Sequence, residues 1–214
     1  MSMTDALRNA LRTGTVLFLF ALIGTAILAF THERAAPVIA RSQQAEKLAL
    51  INQVLPASSY DNDLLTSRQD LPPDDLLGTR KPSALWIARR GGQVTAVVLE
   101  AIAPDGYAGD IALLIGIDAD GTVTGVRVTA HHETPGLGDY VERTKSDWID
   151  QFAGKSLTHP ESRHWKVAKD GGTFDARAGA TITPRAVIKA VRNALDYFAR
   201  HRAAFVAGTA AREN

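Results

Sequence analysis

Ile111-Ala-Leu-Leu-Ile-Gly-Ile117, Asp118-Ala-Asp-Gly121 and, after Thr122, Val123-Thr-Gly-Val-Arg-Val128 follow one another in the chain and read as two strands joined by a tight turn. Short apolar runs rich in β-branched residues, bounded by Asp and Gly, are the pattern of a hairpin. Gly125 interrupts the second run and marks a bulge or a close backbone approach. Upstream, Leu85 to Arg89 and Val94 to Ala101 repeat the pattern around Arg90-Gly-Gly-Gln93. Consecutive hairpins predict an antiparallel sheet, and a sheet needs a cover. From Pro184 to about Phe205, Val187, Val191, Leu195 and Phe198 recur at helical spacing and predict the closing helix. Ser146 reads as the N-cap of a short helix over 147–152, with Trp148 and Phe152 one turn apart and Gly154 ending it. Lys169-Asp-Gly-Gly172 is a further tight turn. The fold class is α+β, with antiparallel strands packed against helices.

The N-terminal part follows other rules. Thr13 to Thr31 carries no charge, and at ~1.5 Å per residue its helix covers about 28 Å, close to the ~30 Å hydrocarbon core of a bilayer. Residues 13–31 are expected to form an uncleaved transmembrane helix. Arg8 and Arg12 precede it and Arg34 and Arg41 follow it, so the charge rule for orientation is nearly balanced. A short segment 1–12 held in the cytoplasm places everything after His32 on the opposite side. Ala45, Leu48, Ile51, Val54 and Leu55 form a stripe within Pro37 to Val54, which predicts an amphipathic helix ended by Pro56. Ala57 to Pro82, rich in Asp, Pro and Ser, reads as an irregular linker or surface excursion. The expected organisation is thus 1–12 N-terminus, 13–31 span, 32–82 helix and linker, 83–206 folded domain, and 207–214 tail.

Composition and motifs exclude much chemistry. With 24 basic and 23 acidic residues, the net charge of +1 carries no signature of nucleic-acid binding. The absence of cysteine excludes disulfides, thiolate metal sites and cysteine nucleophiles. The chain has no phosphate-binding loop, dinucleotide fingerprint or serine elbow. His131-His132-Glu133 reads as a strand end, because adjacent residues on extended chain point to opposite faces and do not chelate together.

Two glycine-containing loops and one helix start remain. Asp175-Ala-Arg-Ala-Gly-Ala-Thr-Ile-Thr-Pro184 places a Gly-Ala-Thr turn before a helix. Thr183 is the expected N-cap and Pro184 the first helical residue. The unpaired N–H groups of such a start welcome a phosphate, and Thr181 brings a hydroxyl close to that site. Gly179 beside it lets another molecule approach the backbone. The ordinary alternative for Thr181 is a hydrogen bond to its own turn. A threonine hydroxyl is a poor nucleophile without a base, and Asp175 is the only candidate nearby. Glu133-Thr134-Pro-Gly136-Leu137-Gly138 combines two glycines, a proline and an acid, which suits either a structural turn or a loop presenting backbone N–H groups to a ligand. Gly106-Tyr107-Ala-Gly109 is a weaker case, with Tyr107 able to stack on a planar ring or cover the core.

Taken in order, the single span, Gly106-Tyr-x-Gly109-x-Ile111, Glu133-Thr-Pro-Gly-Leu-Gly138-Asp139, Lys145-Ser-Asp-Trp148 and Asp175-x-x-x-Gly-Ala-Thr181 resemble the FMN-binding G subunit of Rnf-type electron transport complexes. The C subunit of the sodium-pumping NADH:quinone reductase is similar and shares the Gly-Ala-Thr site, but the length and the Glu133 to Trp148 stretch are closer to the Rnf subunit. The resemblance implies an FMN-binding domain over 83–206, with FMN esterified through its phosphate to Thr181 and Asp175 as the motif acid. Gly179, Ala180 and Thr183 would flank the site, and Thr183 is the alternative point of attachment. Ala178 departs from the family pattern, which has Ser or Thr there. The implied setting is a single-pass protein of the cell inner membrane with a periplasmic domain. It would relay electrons in a redox-driven, ion-translocating complex working between ferredoxin and NAD, among other membrane and peripheral subunits, after loading by an FMN transferase. An extracytoplasmic FMN-binding sensor or scaffold and a free-standing flavin reductase are the other readings.

Overall fold

Both expected hairpins belong to one five-stranded meander. In the computed structural model, which describes residues 3–207, β1 (Gln69–Leu71), β2 (Ser83–Arg90), β3 (Gln93–Ala103), β4 (Ile111–Asp118) and β5 (Val123–Ala130) pair in chain order. Every pairing is antiparallel. Alternate residues divide between two apolar layers. Leu85, Ile87, Val97, Leu99, Leu113 and Ile115 pack in the layer that also holds Val187, Val191, Leu195 and Phe198 of helix α2 (Ile182–Val206). Ala84, Trp86, Ala88, Ala96, Val98 and Leu114 pack in the other, with Ile51, Val54, Leu55 and Leu64. Burial on both faces explains why β4 is a nearly continuous apolar run rather than an alternating one.

The N-terminal helix differs from expectation in its extent. Helix α1 spans Met3–Val54, so the separate helices expected over 13–31 and 37–54 are one element. His32 to Ala36 contains no turn-forming residue to stop it, although Pro37 forfeits one helical hydrogen bond. The chain parts into two units between Lys47 and Leu48. In the first, Leu11–His32 has the length and mean hydropathy (2.2) of a membrane span, with none of it buried in protein. In the second, Ile51, Val54 and Leu55 of the predicted stripe are buried, while Ala45 lies in the first unit and is exposed. The tail expected over 207–214 lies outside the described residues from 208 onward.

The end of α1 explains two glycines. Gly116 and Gly125 face each other across β4 and β5. A methyl group on Gly125 would lie 2.9 Å from Val54 Cα, and one on Gly116 2.6 Å from the Val54 carbonyl oxygen. The Thr124 hydroxyl donates to that same carbonyl at 2.6 Å, satisfying a helix-terminal acceptor. Gly125 is thus the close approach anticipated for it, and the ladder shifts register beside its partner, between Gly116 and Ile117.

The segment 57–82 is more than a linker. Leu64, Leu71 and Leu77 are fully buried, and Gln69–Leu71 forms β1. Local aspartates set these inward turns. Asp63 Oδ1 accepts the N–H of Leu65, and Asp74 Oδ1 that of Leu76. The composition identifies the turns but not the leucines they drive into the core. Replacing Gly125 with Val is expected to lower unfolding stability by about 1–3 kcal/mol through overpacking against Val54. Chemical denaturation followed by tryptophan fluorescence measures it, and an unchanged midpoint would contradict this packing.

Candidate functional site

Chain leaving β5 turns inward at Glu133. Its side chain is 4% exposed, although Thr134 to Leu137 are exposed. One carboxyl oxygen accepts the Thr183 hydroxyl at 2.6 Å, and the other accepts the Ala108 N–H at 3.1 Å. The Glu133 N–H donates to His131 Nδ1 at 3.0 Å, and His131 Nε2 lies 3.5 Å from Glu142. Hydrogen bonding from the Thr144 hydroxyl, and then His131, holds the Glu142 carboxyl below the ordinary range. His131 is therefore engaged as an orienting group for the loop.

Glycine is required on both sides of the Glu133 carboxyl. A methyl group on Gly138 would lie 2.5 Å from one carboxyl oxygen and 2.9 Å from Thr183 Oγ1; one on Gly106 would lie 2.9 Å from the other carboxyl oxygen. Three segments far apart in sequence thus converge: the Gly106 to Gly109 turn, the Glu133 to Gly138 loop and the start of α2. Gly136 has positive φ, but Gly138 does not. The N–H of Gly136 donates to Asp139 Oδ1, and those of Leu137 and Gly138 donate to the Thr134 carbonyl. These donors serve the turn itself and are not presented to a ligand.

The exposed apolar side chains are informative. Among the described residues beyond α1, the large exposed ones are Tyr107, Leu137, Ile182 and Val206. The first three are chain neighbours of Ala108, Gly138 and Thr183, the residues gathered around Glu133. Single exposed apolar residues are ordinary; these three have in common that each adjoins a residue gathered around Glu133.

The Asp175 to Thr181 segment is held by its backbone. The Asp175 N–H donates to Gln151 Oε1 at 2.9 Å, and its carbonyl accepts Trp148 Nε1–H at 2.6 Å. The buried Tyr140 hydroxyl accepts the Arg177 N–H and donates to the Ala180 carbonyl, each at 3.3 Å. The Ala180 N–H closes the turn onto the Arg177 carbonyl. Beneath it, Tyr140, Trp148, Phe152 and Phe174 form a chain of edge-on and stacked rings. Trp148–Phe152 is a 3₁₀ helix rather than an α-helix. Burial raises the Tyr140 hydroxyl pKa, and the Arg177 guanidinium lies 4.8 Å over its ring. The motif's own side chains at Asp175, Arg177 and Ala178 face outward. Gly179 has φ of +83° with open space around it, so its need is backbone handedness.

Helix α2 begins earlier than expected. Thr181, not Thr183, is the residue before its first turn, and its hydroxyl makes no capping bond. Thr183 lies within that turn, 2% exposed, because its hydroxyl is taken by Glu133. Pro184 still falls in the first turn, where a missing N–H costs nothing. Thr181 is half-buried, with an uncommitted hydroxyl beside the helix N-terminus. One turn on, Arg185 forks onto Asp170 at 2.7 and 2.8 Å, and this pairing holds the Asp170 carboxyl below its usual range. Sequence reasoning misses Tyr140, Trp148 and Gln151 as parts of the site, because nothing in their local sequence marks a partner some 24 to 40 residues away.

The chain is similar to known proteins over most of its length. Residues 106–196 match the family described as FMN-binding domain, and residues 1–54 match the RnfG N-terminal region. A protein of Pseudomonas aeruginosa, named as the G subunit of the ion-translocating oxidoreductase complex, is 48% identical, with 91% of each chain covered. Proteins of the same name from Vibrio cholerae and Shewanella oneidensis are 46% and 44% identical, over 89% and 90% of this chain and 91% of each relative. Tyr140→Phe keeps the ring contacts and strands the Arg177 N–H and Ala180 carbonyl. A cost of about 1–3 kcal/mol and faster amide exchange at Arg177 are expected. Mass-resolved hydrogen exchange reads this, and unchanged exchange there would remove Tyr140 from the site.

Proposed function

Because the chain belongs to the family of G subunits of ion-translocating oxidoreductase complexes, we propose that it relays electrons through FMN beside the other subunits of such a complex. The isoalloxazine ring of FMN supplies the redox chemistry, while the protein binds and orients it. No substrate acid–base pair is needed for a relay. Tyr107, Leu137 and Ile182 offer the ring an apolar surface, and the open N-terminus of α2 offers its phosphate unpaired N–H groups.

The attachment is a phosphoester at Thr181. What carries this assignment is the contrast between two threonines two residues apart. Thr183 is sequestered, with its hydroxyl committed to Glu133, whereas the Thr181 hydroxyl is partly exposed and uncommitted. Of the two buried carboxyls at this site, Glu133 has both oxygens engaged and Asp139 accepts the Gly136 N–H. A separate FMN transferase must therefore supply the base and an activated flavin nucleotide. The Thr181 oxygen takes the flavin's phosphate as its proton leaves and the donor's own phosphate bond breaks. Asp175, Arg177 and Ala178, exposed on a backbone-anchored segment, give the transferase a defined target. A small residue at position 178 leaves that target accessible.

The tether confines the ring to one neighbourhood at high effective concentration, and the α1 span does the same for the whole domain. The protein is a single-pass resident of the inner membrane with its FMN domain on the periplasmic side, held next to its partners.

Intact-mass measurement of the membrane-extracted chain, coexpressed with a transferase, is expected to show one added FMN. Thr181→Ala removes it, and in-gel flavin fluorescence disappears with it. A wild-type chain that carries no FMN mass under these conditions would falsify the covalent assignment.

A further inference from the structure

We propose that Glu133 and Thr183 act as a positioning pair for the flavin site. The bond between them fixes the first turn of α2, and so Thr181, against the two loops that present Tyr107 and Leu137. This rests on the reading that Thr181 carries FMN. It gives Glu133 a role as a tie behind the ring surface rather than as a contact on it.

Three observations carry the inference. Both side chains are removed from solvent, at 4% and 2% exposure, so their 2.6 Å bond does not compete with water. The second carboxyl oxygen reaches a different segment, at the Ala108 N–H, which makes Glu133 a three-way junction. Gly138 and Gly106 leave no room for a side chain against that carboxyl, so the loops close on it as tightly as backbone allows. Elsewhere α2 is held by Val187, Val191, Leu195 and Phe198 packed in the sheet's apolar layer. Losing the bond therefore moves the helix start and the loops relative to each other without unfolding the domain.

Substitutions separate this role from simple packing. Thr183→Val keeps the shape and removes the hydroxyl, while Thr183→Ser keeps the hydroxyl and removes the methyl group. Glu133→Met keeps the length of the side chain and removes both acceptor oxygens, so neither bond survives. Each variant is made in the full-length chain and loaded by a transferase. Intact mass, the midpoint potential of the flavin and iodide quenching of its fluorescence are then compared. In Thr183→Val the quenching constant is expected to rise about fivefold, the equilibrium factor implied by losing one buried hydrogen bond, with a shifted midpoint potential. Thr183→Ser should match the wild type, and Glu133→Met should deviate in the same direction as Thr183→Val. Wild-type potential and quenching in Thr183→Val would overturn the pairing, as would a Ser variant perturbed as strongly as the Val variant. If Thr183→Val does not accumulate, Glu133→Met decides alone: unchanged potential and quenching overturn the proposal, and a shift in both supports it. A wild-type chain without FMN mass overturns the attachment reading and this one together, whereas a loaded wild type with unperturbed variants overturns this one alone.

Discussion

The meander sheet is apolar on both faces, and the rest of the unit that contains it is arranged around that constraint. A half-solvated sheet of this kind would expose either the Leu85, Val97 and Ile115 layer or the Trp86 and Val98 layer to water. Helix α2 covers the first. The last turn of α1, together with Leu55 and Leu64, covers the second. The two covers differ in how closely they approach. Side chains separate α2 from the sheet, whereas α1 ends with Val54 backbone against the paired glycines Gly116 and Gly125. The glycines cost strand propensity, and the hydrogen bond from Thr124 to the Val54 carbonyl offsets part of it.

The site forms where α2 begins, at the margin of the first cover. The helix start has to satisfy three demands at once: continue into the core, expose Thr181 and meet two loops. One buried carboxyl resolves them. By accepting the Thr183 hydroxyl and the Ala108 N–H, Glu133 ties the first turn of α2 to the Gly106 loop. The Asp175 to Thr181 segment is held differently. Its backbone is bonded to Tyr140, Trp148 and Gln151, while Asp175, Arg177 and Ala178 are exposed and Ala180 is buried.

Elements governed by local periodicity are legible in the chain. Both hairpins, their turns and α2 follow from alternation, Asp and Gly turns and helical spacing, because each depends on residues within a few positions of one another. The buried leucines of 57–77 are not legible. Their surroundings are polar, and only the Asx turns at Asp63 and Asp74 aim Leu65, Leu76 and their neighbours. The start of α2 is displaced from its expected position for a related reason. Thr183 before Pro184 is a sound local cap, but a carboxyl 50 residues earlier claims its hydroxyl.

Read as a string, the chain yields an inventory: an apolar span, an antiparallel sheet with a covering helix, two glycine-bearing loops and a Gly-Ala-Thr turn at a helix start. These are short-range properties, set by side-chain period, turn chemistry and backbone freedom. Folding adds which threonine is free, which glycines serve clearance and which serve handedness, and that Glu133 faces inward between three segments. Those outcomes depend on which groups meet when distant parts of the chain pack. A buried hydrogen bond acquires its partner only then.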